Sequence, residues 1–146
     1  MRVREEGTSL KRSTANSRTL LFLVTAFVEA GTGLGLLALP AVAFDLLLGL
    51  KQPAAEALFV GRIAGAALLA IGVASWLTRR DESRPTQFGL LTGIAIYNVA
   101  TTALLAYAGA ALEMAGLLLW PAVALHAGLT VWCVTCLRAR TAAADD

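Results

Sequence analysis

Thr19-Leu20-Leu21-Phe22-Leu23-Val24-Thr25-Ala26-Phe27-Val28-Glu29-Ala30-Gly31-Thr32-Gly33-Leu34-Gly35-Leu36-Leu37-Ala38-Leu39 is 21 residues long and carries one charge, Glu29, at its centre. At 1.5 Å of rise per residue such a run makes a helix of roughly 30 Å, the thickness of a bilayer's hydrocarbon core. Three more runs follow the same plan: Ala57–Thr78, Phe88–Gly109 and Gly116–Leu137, each 22 residues long, with Arg62 their only charge. The expected fold is all-α, a transmembrane four-helix bundle with short loops. A membrane domain over 19–137 lies between a basic tail, 1–18, and a second tail, 138–146.

A chain of 146 residues that is 58% hydrophobic and 15% charged, with a mean hydropathy of +0.70, does not read as a water-soluble domain. The spans leave no loop long enough for a second domain. No basic face interleaves with aromatic residues, so no nucleic-acid partner is expected. The lipid bilayer is the expected partner. Arg2 to Arg18 resembles the basic region of a signal peptide, but the apolar run after it is too long for a signal core. Ala38-Leu39-Pro40 also makes a poor cleavage site, so the first run reads as a retained span.

The cations are placed unevenly. Arg2, Arg4, Lys11, Arg12 and Arg18 precede the first span, Arg79, Arg80 and Arg84 join the second to the third, and Arg138 and Arg140 follow the fourth. Four spans put all of these on one side and leave Lys51 alone on the other. The positive-inside rule then sets both termini in the cytoplasm. An integral, multi-pass membrane protein is the expected result.

On the opposite side, Gly109 to Gly116 reads as a tight turn. The connection from Pro40 to Glu56 is longer and holds ten apolar-rich residues, Ala41 to Leu50, between Pro40 and Pro53. These cannot span a bilayer. They form either a short helix lying at the outer interface or an extension of the first span.

Glycines recur four apart: Gly31 and Gly35, Gly61 and Gly65, Gly89 and Gly93. Helices in lipid gain little from apolar contact alone, and such pairs let backbones approach closely. A compact bundle is expected, formed either within one chain or between copies.

Depth brings the polar intruders together. Glu29 is the centre of the first span, the third is centred beside Asn98 and the fourth beside His126. Arg62 lies about 5.5 residues from the centre of the second, roughly 8 Å toward the outer face. An ionised side chain at mid-membrane costs about 2.5 to 3.5 kcal/mol on insertion scales. Glu29 is therefore expected to face the bundle interior and either pair with Arg62 or take up a proton. Thr25, Thr32 and Gly33 share its face. Tyr97, Asn98, Thr101 and Thr102 give the third span a polar strip, and Thr130 follows His126 by one turn. Glu29, Arg62, Tyr97, Asn98 and His126 are thus the candidate site for a proton, an ion or a small amphipathic ligand. Equally, a Glu–Arg pair with Asn and His can serve only as interhelical glue that fixes helix order.

Other signals are weaker. Cys133-Val134-Thr135-Cys136 has the spacing of a redox pair, yet it lies near the cytoplasmic end of a helix, where buried packing thiols fit better. Trp120-Pro121 opens the fourth span, and Trp76 and Trp132 suit the interfaces. The chain shows no nucleotide-binding loop, metal-ligand cluster or nucleophilic triad, so no cofactor, metal or catalytic residue is assigned.

Val28-Glu29-Ala30-Gly31-Thr32-Gly33-Leu34-Gly35, Arg62-Ile63-Ala64-Gly65-Ala66-Ala67-Leu68-Leu69, Tyr97-Asn98 and Trp120-Pro121-Ala122-Val123-Ala124-Leu125-His126 together resemble a group of small four-span bacterial membrane proteins with no assigned activity. The chain is also similar, in its four-span plan and its charges near small-residue runs, to the DoxX-like membrane proteins. Some of those act as subunits in quinone-linked sulfur oxidation. The mid-helix glutamate resembles that of the small multidrug transporters, to which Arg62 is foreign.

Three functions remain open. The first is a non-enzymatic binding or transport module centred on Glu29. The second is a structural or assembly subunit of a larger membrane complex, or a homo-oligomer. The third is a quinone- or lipid-linked membrane enzyme using His126 and Tyr97.

Overall fold

Pro40 divides the first half of the chain. Proline has no N–H to donate and pushes the residue before it out of the helical region. Leu39 accordingly adopts φ −133°, ψ 56°, separating α1 (Arg2–Ala38) from α2 (Pro40–Leu48). In this computed structural model, which describes the backbone of residues 2–81 and 83–142 and the side chains of 15–81, 83 and 85–139, three more helices follow. They are α3 (Ala55–Thr78), α4 (Arg84–Ala111) and α5 (Leu119–Ala142). Gly49 ends α2 at φ +75°, a left-handed conformation that suits glycine, and its N–H donates to the Asp45 carbonyl at 2.9 Å.

Among the described residues the protein is all-α, and four of its helices are long and apolar enough to cross a membrane: Ala15–Ala38, Ala55–Thr78, Pro85–Ala111 and Leu119–Ala139. That is the make-up of a multi-pass membrane protein. Large apolar side chains such as Phe27, Phe59, Leu77 and Leu104 are exposed along these helices, as lipid contact requires. The α1 helix continues without a break into the basic N-terminal segment. The fourth apolar helix begins at Leu119, inside the expected run, with Trp120-Pro121 in its first turn.

The helices associate as two antiparallel pairs, α1 with α3 and α4 with α5. The first pair is drawn close by glycine. A Cβ on Gly33 would lie 2.6 Å from the Gly65 carbonyl oxygen, and one on Gly72 would lie 2.7 Å from the Ala30 nitrogen. This corrects the expected use of the Gly-x-x-x-Gly pairs. Gly61 and Gly65 do pack, against α2 and α1, but among the described residues nothing lies within 4 Å of the Cβ positions of Gly31, Gly35, Gly89 and Gly93. Gly31 and Gly35 lie on another face of the helix from Gly33, so four-residue spacing alone did not identify the packing face.

The two halves of the bundle differ. Leu21 and Phe22 of α1, Leu91 and Ile94 of α4, and Leu129, Cys133 and Cys136 of α5 form a closed core. Polar ties at the same end join the pairs: Trp132 Nε1 donates to Ser17 Oγ at 2.9 Å, and Arg18 Nη1 donates to Gln87 Oε1 at 3.1 Å. The other end is hollow and roofed by α2. There the Leu118 N–H donates to the Leu46 carbonyl at 2.8 Å, fastening α2 to the α4–α5 connection.

Candidate functional site

Glu29, Tyr97, Asn98 and His126 meet where the packed half of the bundle gives way to the hollow half. Glu29 is 1% exposed and points inward. Its Oε2 accepts a hydrogen bond from the Tyr97 hydroxyl at 3.0 Å, bridging α1 and α4. Its Oε1 is buried with no hydrogen-bond partner among the described residues, as is Thr25 Oγ1 one turn earlier on the same face. Arg62 is not in this group. It is exposed, and its Nε donates to the Leu37 carbonyl at 3.4 Å, in the last turn of α1. Of the two outcomes expected for Glu29, pairing with Arg62 or taking up a proton, the pairing does not form. The α3 helix meets α1 along the Gly33–Gly65 seam, and Arg62 lies on another face, level with the carbonyls that the end of a helix leaves free.

Asn98 and His126 make a second polar unit. Asn98 is fully buried, and its Nδ2 donates to the Ile94 carbonyl at 2.9 Å. That contact fixes the amide orientation, because a carbonyl can only accept. Asn98 Oδ1 then faces His126 Nδ1 at 2.7 Å, and an amide oxygen can only accept, so Nδ1 carries the proton. In the neutral ring Nε2 is left with a lone pair. Among the described residues Nε2 makes no hydrogen bond, and the His126 side chain borders open space. The Tyr97 and His126 rings pack edge to face, 5.7 Å between centroids and 84° apart, which joins the two polar units.

The open space is a half-open cavity of about 620 Å³. That falls within the usual range for small-molecule pockets. Leu36, Leu68, Leu105 and Leu125 typify its apolar walls, and α2 contributes Val42 and Leu46. Tyr97, His126, Thr32 and Thr101 supply the polar groups, and among the described residues no charged one lines it. Glu29 and Asn98 lie behind Tyr97 and His126 rather than on the wall. The cavity presents a phenol and an imidazole, each held by a buried partner.

Sequence reasoning did not anticipate the part played by α2 or by Gly31 and Gly35, which line the cavity. The signal for the glycines was present: two residues without side chains, one turn apart, leave a hollow if no other helix fills it. Cys133 and Cys136 are free and buried in the core cluster, away from the cavity.

No protein-family model, curated protein or solved structure matches the chain.

Proposed function

We propose that this protein is a non-enzymatic membrane module that binds a small, mainly apolar molecule in the cavity beneath α2. In this reading the protein lies in a bacterial cytoplasmic membrane with both termini inside, and α2 rests at the outer interface. The observation that carries the reading is an apolar cavity whose polar groups are held in place by buried partners. Interhelical glue alone needs no such space, since the Glu29–Tyr97 and Asn98–His126 contacts could be made in a closed core. Tyr97 and His126 would meet the polar part of the ligand, while Glu29 and Asn98 hold those two side chains in position.

One observation favours a second reading, an assembly subunit. Gly89 and Gly93 on α4 are exposed, and among the described residues nothing lies within 4 Å of their Cβ positions. A helix from another chain would fit a small-residue face of this kind.

Purification in mild detergent, followed by mass spectrometry of retained small molecules and proteins, separates the two. The binding reading expects a stoichiometric apolar small molecule that is lost in Gly31→Leu, a substitution that fills the cavity. A retained protein subunit with no small molecule, unaffected by Gly31→Leu, would overturn it. Reporter fusions at both ends test the orientation, and an outward terminus would remove the topology assumed here.

A further inference from the structure

We infer that the cavity selects an uncharged, lipid-soluble molecule bearing a hydroxyl group, an alcohol or phenol, whose O–H donates to His126 Nε2. The inference rests on the binding reading above and specifies its ligand chemistry. The argument starts at Ile94. Its carbonyl takes the Asn98 amide N–H₂, which turns Asn98 Oδ1 toward His126 and holds the imidazole proton on Nδ1. The ring therefore offers the cavity an acceptor. Tyr97 gives its hydroxyl proton to Glu29, so its oxygen also faces other groups as an acceptor. These are the groups of the polar wall that buried partners fix, and both are set to receive a proton.

The absence of charge from the lining narrows the class further. With no Lys or Arg on the wall, a carboxylate or phosphate would enter without a counter-charge, at a large desolvation cost. An ether, ester or ketone could accept from the Thr32 or Thr101 hydroxyl but brings no proton to His126 Nε2, which would be left unpaired. A site built to bond a hydroxyl rejects analogues that lack one, because its own polar group is then left unpaired. Asn98 acts here as a positioning residue, since it fixes the imidazole tautomer without touching the ligand.

The test uses the purified full chain in lipid nanodiscs with farnesol, farnesyl methyl ether and farnesoic acid as probes, read by calorimetry. Histidine-¹⁵N-labelled protein reports the tautomer by NMR. Farnesol is expected to bind at least tenfold more tightly than the ether or the acid. The His126 Nε2 resonance should be that of an unprotonated nitrogen and should shift when farnesol binds. In Asn98→Leu the tautomer preference and the alcohol-over-ether ratio should both fall. Should Nε2 of the free protein prove protonated, the inference is overturned whatever binds. Equal binding of alcohol and ether, abolished for both by Gly31→Leu, overturns the hydroxyl preference but leaves the binding cavity standing. Binding of none of the three probes overturns the inference and counts against the cavity reading itself.

Discussion

The hydroxyl of Tyr97 reaches across from α4 to Glu29 on α1, 3.0 Å from Oε2, and ties the α1–α3 pair to the α4–α5 pair midway along the bundle. The contact needs an acceptor at position 29 and does not by itself need a charge. Glu29→Gln keeps a carbonyl oxygen there and should leave thermal stability in detergent little changed. Glu29→Leu removes the acceptor and leaves the Tyr97 hydroxyl unpaired, at a cost of about 1–3 kcal/mol. Tyr97→Phe should cost at least as much, since both oxygens of the buried Glu29 would then lack a partner. The double variant Glu29→Leu/Tyr97→Phe should be less destabilised than the sum of the two, because the partners are removed together. Strict additivity would mean that the contact does not bind the two pairs.

Gly31 and Gly33 are two residues apart and should respond oppositely to the same change. A Cβ at Gly31 meets nothing within 4 Å and extends toward the cavity. Gly31→Ala should therefore be neutral or slightly stabilising, by the gain in helix propensity of up to about 1 kcal/mol. A Cβ at Gly33 would lie 2.6 Å from the Gly65 oxygen and 2.7 Å from the Leu69 nitrogen, both backbone atoms that cannot move aside singly. Gly33→Ala should force α1 and α3 apart, lowering the melting temperature and the yield of folded protein. Similar behaviour of the two variants would show that α1 and α3 do not meet along this seam.

Why these features were or were not legible in the sequence follows from the range of the forces involved. Four apolar runs announce four helices because bilayer thickness imposes a length on each, a constraint readable without any contact. The inward placement of Glu29, Asn98 and His126 follows from the cost of exposing them to lipid, and depth alone put them at one level. Rotation about each helix axis is another matter. Arg62 carries the charge that would suit Glu29, yet the face α3 turns toward α1 is set by Gly65 and Gly72, and Arg62 is left outside. Composition likewise cannot show which glycine is covered: Gly33 is pressed on α3 while Gly31 and Gly35 open onto space. The α2 helix was readable as one of two possibilities, since Pro40 can either break a helix or kink it. The hydrogen bond from Leu118 to Leu46, which holds α2 as a roof, belongs to tertiary structure.

The two thiols should be inert in the folded protein. Cys133 is fully buried and Cys136 nearly so, both within the core cluster of α1, α4 and α5. Reactivity needs an accessible thiolate, which this setting does not provide. A maleimide reagent should label neither residue in nanodiscs and both after unfolding in detergent. Rapid labelling of the native protein would show that this end of the bundle is not closed.

Arg62 and Glu29 should behave as independent residues, although charge alone would pair them. The Arg62 guanidinium is exposed and engages the Leu37 carbonyl through Nε, while the Glu29 carboxylate is buried against Tyr97. Breaking a true buried ion pair by removing one partner costs about 3–5 kcal/mol, because the other charge is stranded. Arg62→Ala should cost far less, since it removes a single long hydrogen bond at the end of α1. Sites without shared partners add to within about 0.5 kcal/mol. The stability of Arg62→Ala/Glu29→Gln should therefore equal the sum of the single changes within that margin. Farnesol binding should be unchanged in Arg62→Ala, because Arg62 does not line the cavity. A coupling of several kcal/mol in this cycle would instead place the guanidinium on the carboxylate and make Arg62 part of the polar cluster.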